Sequence, residues 1–397
     1  MAEILAVWEL GAGTGHCVNL LPLLEGLSAQ GHRIHVAMRN VVTARKLFSH
    51  LPVSYFQAPF QHGPSPVHFD AVNSFAHVLH NTGFGSEESL QALLAASRSL
   101  FELLRPDLVI CDHSPIALLA SYLYDVRRVV VGAGFYAPPD VTPMLRFDSP
   151  AGEAAPRDLI EEAILQRINR ILAAEGKRPL DRVSELYAQA DESFLLTFPE
   201  LDHYGERPGS EYWGMWSPPG GVEPEWGPGE GPRVYAYLQP AQRSWNPALV
   251  VMALADLGVP SLVYAPTISL DALRKLPAPN VRFEDRRVDI DRVVQQCGAA
   301  ITHGNNGTVT RLALGGVPQA VLPLNSEQTM IASRLEAIGV ARSAAIREPE
   351  KFVDVIAQVV RNDQFSAAAK AFASRYSSYD AAAVMEQVVE RISRLLA

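Results

Sequence analysis

What most constrains the fold is a pattern that occurs twice: short apolar runs separated by stretches of helical period. In the first half, Ile4–Trp8, Arg33–Met38, Leu108–Cys111, Arg128–Val131 and Phe194–Thr197 have the character of strands. A helical stretch carrying Leu20, Leu21, Leu23, Leu24 and Leu27 separates the first two, and residues 151–192 are charged and helical in period. Val234–Leu238, Ser261–Tyr264, Val281–Phe283, Ala299–Thr302 and Gln319–Leu322 repeat the pattern in the second half. Strands spaced this way build βαβ units and parallel sheets. A chain of 397 residues also suits two cores better than one. Between Tyr204 and Pro232 the chain is crowded with Gly, Pro and Trp, including Pro218-Pro219-Gly220-Gly221 and Gly227-Pro228-Gly229, which predicts a linker. The expected organisation is therefore an α/β protein with domains at 1–204 and 233–378, a linker at 205–232 and a last helical segment at 379–397. Two parallel-sheet domains facing each other make a central cleft, lined by loops at the C-terminal ends of both sets of strands.

Charge narrows the partners. With 34 basic against 43 acidic residues the net charge is −9, which argues against a nucleic-acid or anionic-membrane surface. Cys17, Cys111 and Cys297 lie far apart, without metal-ligand spacing, as in a reduced cytosolic chain. The first apolar run is broken by Glu9 and lacks the basic start of a signal peptide. No apolar run reaches the roughly 18 residues of a membrane span, so the cytoplasm is the expected location.

The most informative segment is Ala299-Ala300-Ile301-Thr302-His303-Gly304-Asn305-Asn306-Gly307-Thr308, a strand, a Gly/Asn turn and a helix start. Gly and Asn tolerate the left-handed backbone such a turn needs. Amides at a helix N-terminus, helped by the helix dipole, favour a phosphate, and His303 and Thr308 can add donors. A tight turn capped by Thr308 would have the same sequence. Downstream come Gly315-Gly316-Val317-Pro318, a strand, and Pro323-Leu324-Asn325-Ser326-Glu327-Gln328.

This order, His-Gly, a glycine-bearing turn, Gly-Val-Pro, a strand and Glu-Gln, resembles the donor signature of the GT-B-fold UDP-glycosyltransferases. That family includes macrolide and plant natural-product transferases. The resemblance implies two Rossmann-like domains and a nucleotide diphosphate sugar as co-substrate, with no bound metal and no other cofactor. By position, His303, Gly304, Asn305, Asn306, Gly307 and Thr308 would hold the diphosphate, and Glu327 and Gln328 the sugar hydroxyls. A carboxylate that accepts beside an amide that donates and accepts suits vicinal hydroxyls; a solvated helix start has the same pair. Gln239, after Val234–Leu238, stands where the family commonly has Ser or Thr near the phosphates. The family places Trp and then Pro-Gln upstream, where this chain has Arg287, Asp289 and Ile290, and a ribose-binding Glu where it has Arg311. Arg287 can stack on a base through its guanidinium plane. The missing ribose partner suits a deoxyribose donor such as a dTDP-sugar.

Glu9-Leu10-Gly11-Ala12-Gly13-Thr14-Gly15-His16 follows the first strand. Its glycines are spaced by two, unlike the G-x-G-x-x-G of a dinucleotide site, and Arg39-Asn40 ends the second strand in place of an acid. Through Gln30-Gly31-His32 the segment resembles the family's Gly-His…Pro-Leu…Gly-His pattern, in which the first His removes the acceptor proton. His16 is the match, and an imidazole suits that task near neutral pH. The orienting carboxylate falls at Asp112, in Pro106-Asp107-Leu108-Val109-Ile110-Cys111-Asp112. A helix N-cap is the other role open to Asp112; Glu9 and His113 are rival bases. Thr197-Phe198-Pro199-Glu200-Leu201-Asp202 resembles the family's Pro-Glu-Leu segment, and the helix from Asp380 to Leu396 would pack back on the first domain.

The implied activity is inverting transfer to a hydroxyl of a small, apolar acceptor, by a monomer or homodimer. The stretch Tyr55–Gly85, with Phe56, Phe60, Phe69, Phe75, Phe84 and four histidines, has the character of a loop lining an apolar acceptor pocket or of ordinary core. Three alternatives share the fold: a nucleotide-sugar 2-epimerase, a lipid-linked N-acetylglucosaminyl transferase, and a non-catalytic nucleotide-sugar-binding partner subunit.

Overall fold

The computed structural model describes residues 1–63, 67–148, 158–216, 220–240 and 245–396. Two compact units divide the chain. The first is Met1–Pro199, Tyr204–Pro218 and Asp380–Ala397; the second is Glu200–His203 and Pro219–Tyr379.

The first unit holds a six-stranded sheet in the order β3-β2-β1-β4-β5-β6, from β1 (Glu3–Trp8), β2 (Arg33–Met38), β3 (Val53–Gln57), β4 (Leu108–Asp112), β5 (Arg127–Gly132) and β6 (Glu192–Leu195). All its pairings are parallel. The second unit repeats the design with β7 (Val234–Tyr237), β8 (Ser261–Tyr264), β9 (Val281–Glu284), β10 (Ala299–Thr302), β11 (Gln319–Val321) and β12 (Ala341–Ser343), in the order β12-β11-β10-β7-β8-β9. Its pairings are parallel too. Each order is that of a doubly wound sheet, with its switch point between the first and fourth strands of the set. The two parallel-sheet domains inferred from apolar periodicity are therefore present. Among the described residues, no helix is long and apolar enough to cross a membrane.

The central strands are buried along almost their whole length, which is why they read as continuous apolar runs rather than alternating ones. Two of the four edge strands escaped this signal. β3 is only half-buried and β12 has three residues, so neither stood out. The strand expected at Phe194–Thr197 lies earlier, at Glu192–Leu195. Tyr55–Gly85 is not one loop: it contains the end of β3, a helical turn at Phe75–Leu79 and a wider turn at His80–Phe84, with Phe75 and Phe84 fully buried. Its residues 64–66 lie outside the described residues, as do 151–157 of the charged helical stretch, whose helix is seen at Leu159–Ala174.

The Pro/Gly stretch 205–232 is divided between the units, and Pro218-Pro219 within it lies outside the described residues. Met215 and Trp216 are buried in the core of the first unit, where the Trp216 Nε1–H donates to Asn19 O at 2.8 Å. Val222 pairs with Val288 in an isolated parallel bridge of the second unit. Tryptophans thus turn a low-propensity stretch into packed structure.

The helix Ala381–Leu395 belongs to the first unit. Asp380 caps it, accepting from the amides of Ala382 and Ala383. Val388, Val389 and Ile392 bury there beside Leu20, Leu23, Leu24 and Leu27 of the helix Gly15–Ala29, at about 1.5–3 kcal/mol per side chain. Close approach needs Gly26, because a Cβ there would lie 2.6 Å from a Val389 methyl. Gly26→Ala is therefore expected to destabilise the protein by about 1–2 kcal/mol despite alanine's better helix propensity. Adding Val389→Ala should recover part of that loss by removing the clash. Chemical denaturation of the single and double variants measures this coupling, and simple additivity would refute the contact.

Candidate active site

At the switch point of the first sheet, β1 and β4 lie side by side with Trp8 opposite Asp112. The chain leaves β1 through Glu9 and Leu10, turns at Gly11 (φ +88°) and Gly13 (φ +83°), and enters the helix Gly15–Ala29 with His16 in its first turn. The register therefore delivers the His16 ring to the end of β4, where Nδ1 lies 2.9 Å from Asp112 Oδ1. Both side chains are buried, at 5% and 1% exposure. Nδ1–H donates to the carboxylate, which leaves the lone pair of the neutral ring on Nε2, the end suited to take a proton. Trp8 stacks on the ring at 5.1 Å and Tyr136 packs on it at 4.9 Å. Gly11 is required twice over: its φ is positive, and a Cβ would sit 2.6 Å from His16 Nε2.

Glu9 has another task. Its fully buried carboxylate accepts from the amides of Ile116 (2.9 Å) and Ala117 (2.7 Å), anchoring the start of the helix Pro115–Leu123. Burial outweighs these two amides and pushes its pKa up to about 8. With both oxygens engaged, Glu9 is the poorer candidate base. His113, the second rival, is buried at a left-handed backbone position (φ +49°) and stacks on Tyr136 at 4.3 Å. Desolvation, then the nearby His16 and Arg39, hold its pKa well below the ordinary histidine range.

The switch point of the second sheet lies between β7 and β10. Directly after β10, His303 is fully buried; its Nδ1–H donates to Leu322 O at 2.7 Å, and Trp245 packs edge-on at 4.9 Å. Desolvation lowers its pKa to about 4, against the opposing pull of that carbonyl. The neutral ring consequently presents a lone pair at Nε2, and it can donate to a phosphate oxygen only as the imidazolium. Gly304 (φ +91°) lets the turn lie against the next helix, for a Cβ would approach Gln328 O to 2.9 Å. That contact brings the expected phosphate turn and the expected sugar pair together. Asn305 is the N-cap residue and Asn306 begins the helix Asn306–Leu314. Thr308 is thus inside the first turn rather than capping it, where the helix's own hydrogen-bond ladder does not reach the first amides.

Glu327 and Gln328 open the helix Ser326–Ala337, capped by Asn325 through the Gln328 amide at 3.0 Å. Gln328 Oε1 accepts from the Leu324 amide at 2.7 Å, so its NH2 is the end with hydrogen bonds to give. Gln239, just past β7, donates through Nε2 to the Tyr237 hydroxyl at 2.7 Å. Tyr237 and Tyr264 are register partners at the ends of β7 and β8, stacked at 5.0 Å. Arg287 is exposed after β9, close enough for its charge to act on the Tyr264 phenol. This aromatic pair was missed in the sequence because both tyrosines end apolar strands; their matching strand-end positions were the available signal. Arg311 is ion-paired with Asp291 of the neighbouring helix.

The burial of neutral His303 has a measurable consequence. Its folded pKa is depressed, so its stabilising contribution is present above the unfolded value of 6.5 and is lost as pH falls through that value towards about 4. His303→Gln, neutral throughout, is expected to lose roughly 2–3 kcal/mol less than the unmodified protein between pH 7 and pH 4. Denaturant titrations at both pH values test this, and equal losses would show that His303 titrates normally.

Comparison with known proteins agrees with this architecture. The domain family described as erythromycin biosynthesis protein CIII-like, C-terminal domain, matches residues 248–392. A PGL/p-HBAD biosynthesis glycosyltransferase of Mycobacterium tuberculosis is 23% identical over 395 residues, covering 94% of this chain and 88% of that protein. Among solved structures, the glycosyltransferase of kitacinnamycin superimposes with a TM-score of 0.69 at 16% identity, covering 99% of both chains. The spinosyn rhamnosyltransferase complexed with thymidine diphosphate gives 0.66 at 20% identity, over 97% of this chain and 99% of that one. SnogD of Streptomyces nogalater, a glycosyltransferase, gives 0.62 at 18%, over 99% of both. The chain has the two-domain α/β fold of these glycosyltransferases, and its residues 248–392 match the EryCIII-like C-terminal domain family.

Proposed function

We propose that the chain transfers a sugar from a nucleotide diphosphate to a hydroxyl of a small, apolar acceptor, in one displacement that inverts the anomeric carbon. The observation that carries this is the buried His16–Asp112 pair, a general base with its orienting carboxylate, at the switch point of the first sheet. In the proposed step His16 Nε2 takes the hydroxyl proton as the acceptor oxygen bonds to the anomeric carbon. The bond from that carbon to the diphosphate oxygen breaks, and the departing nucleotide diphosphate keeps its electron pair. Asp112 stabilises the imidazolium so formed.

Charge growing on the diphosphate is met by the first-turn amides of the helix Asn306–Leu314 and by His303, a preorganised electrostatic role that asks for no metal. Glu327 and the Gln328 NH2 hold the sugar hydroxyls. The Tyr237–Tyr264 pair and Arg287 offer flat surfaces for the base, with Gln239 beside them. Thymidine diphosphate in the spinosyn rhamnosyltransferase and in the vinC glycosyltransferase complex supports a dTDP-sugar, with UDP-sugars as the other choice. So does Arg311: held by Asp291, it stands where the family reads a ribose hydroxyl with Glu. On this proposal the protein works in the cytoplasm, as a monomer or homodimer, on two small molecules.

Calorimetric titration with dTDP- and UDP-sugars, paired with transfer assays over a panel of aromatic and macrocyclic alcohols, tests the proposal. His303→Ala is expected to weaken nucleotide binding by about tenfold or more. His16→Ala should bind nucleotide normally while transfer falls by about 10²–10⁴. Equal transfer rates in His16→Ala and the unmodified protein would remove His16 as the base, and no binding of any nucleotide sugar would remove the donor site.

A further inference from the structure

His113 is not used by the step just described, yet its surroundings are unusual. The side chain is 7% exposed, and among the described residues neither ring nitrogen has a hydrogen-bond partner. Phe or Tyr would stack on Tyr136 and meet Phe75 and Phe135 as His113 does, without burying two unsatisfied nitrogens. The residue also sits at φ +49°, a backbone region that side chains other than Asn, Asp and His seldom occupy. Its place is the residue directly after Asp112, at the same switch point as His16.

The ring is aimed at the site. The point where a Cβ on Gly11 would lie is 2.6 Å from His16 Nε2 and 3.5 Å from His113 Nδ1, and the two ring centres are 5.8 Å apart. Two imidazole nitrogens therefore flank the same side of the Gly11 turn. One belongs to the proposed base; the other has hydrogen-bonding capacity with nothing to spend it on. Burial keeps His113 neutral, so it offers one N–H and one lone pair rather than a second proton acceptor competing with His16.

We propose that His113 is an acceptor-positioning residue: its imidazole hydrogen-bonds an oxygen neighbouring the hydroxyl that His16 deprotonates. The site then favours acceptors with two adjacent oxygens, such as catechol-like or vicinal diols, over acceptors with one. This rests on the transfer reaction proposed above and adds a substrate class to it.

The probes are 1,2-dihydroxyanthraquinone and 2-hydroxyanthraquinone, flat apolar molecules that differ by one neighbouring oxygen. Acceptor binding is measured without donor, followed by KM and kcat with the preferred nucleotide sugar. The unmodified protein is expected to bind the diol about tenfold more tightly than the mono-ol. His113→Phe should erase that ratio by raising KM for the diol, with kcat within about threefold and mono-ol binding unchanged. His113→Asn tolerates the positive φ and keeps a polar group near Nδ1, so it should retain part of the preference. In the unmodified protein, the 15N ring resonances of His113 should move on adding diol and stay in place with mono-ol, which checks the contact without a mutation. Equal affinity for the two probes in the unmodified protein, an undiminished diol preference in a folded His113→Phe, or a stationary resonance would each overturn the proposal. Absent turnover with the diol preference intact would instead count against the transfer reaction.

Discussion

The hydrogen bond from His16 Nδ1 to Asp112 Oδ1 is the interaction on which the rest of the first site depends. Burying a carboxylate at 1% exposure is unfavourable unless a donor meets it, and removing that donor would leave a charge without compensation. The bond exists because β1 and β4 pair in a register that sets Trp8 opposite Asp112, and because the turn between β1 and the next helix passes close under the imidazole. Gly11 permits that passage, Trp8 supports the ring from one side and Tyr136 from another. Glu9 fixes the helix Pro115–Leu123 that follows β4, so His16 and Asp112 are held on secondary structure and His113 lies in the short bend between β4 and that helix.

Most of this frame was legible in the sequence, for a physical reason. Strands at the centre of a doubly wound sheet are covered on both faces and must be apolar throughout, so β1, β4, β7 and β10 stood out as uninterrupted runs. The edge strands β3 and β12 left no comparable trace: β3 presents Ser54 and Gln57 to solvent, and β12 buries only Ala341 of its three residues. The stretch 205–232 misled for the opposite reason. Gly and Pro there advertise a broken backbone, but the chemistry that matters is in Trp213, Met215 and Trp216, whose side chains join the first core regardless of backbone irregularity.

Side-chain roles were less legible than positions. Glu9 and His16 both follow β1 closely and both are titratable, and only packing separates them: two helix amides occupy one, and a carboxylate orients the other. Gln239 and Arg287 read as separate candidates in the sequence, whereas the stacking of Tyr237, to whose hydroxyl Gln239 donates, on Tyr264 depends on strand register, which no local pattern encodes. Arg311 looked like the loss of a ribose ligand. It pairs with Asp291 and so joins two helices of the second unit.

The two units also use the same side chain in contrasting ways. Each places a histidine after a strand at the centre of its sheet, and in each the Nδ1–H is committed, which leaves Nε2 as the chemical end. The partner differs. His16 donates to a carboxylate, a partner that can offset charge gained on the ring during a reaction. His303 donates to the uncharged carbonyl of Leu322 in a fully buried setting that lowers its pKa to about 4. Near neutral pH it becomes a cation only where a ligand brings compensating negative charge with it. A diphosphate supplies that charge, so proton uptake at His303 and phosphate binding would each strengthen the other. The same strand–turn–helix design therefore pairs its histidine with a carboxylate in the first unit and with a backbone carbonyl in the second, and under the proposed reaction that difference separates a base from a ligand-dependent donor.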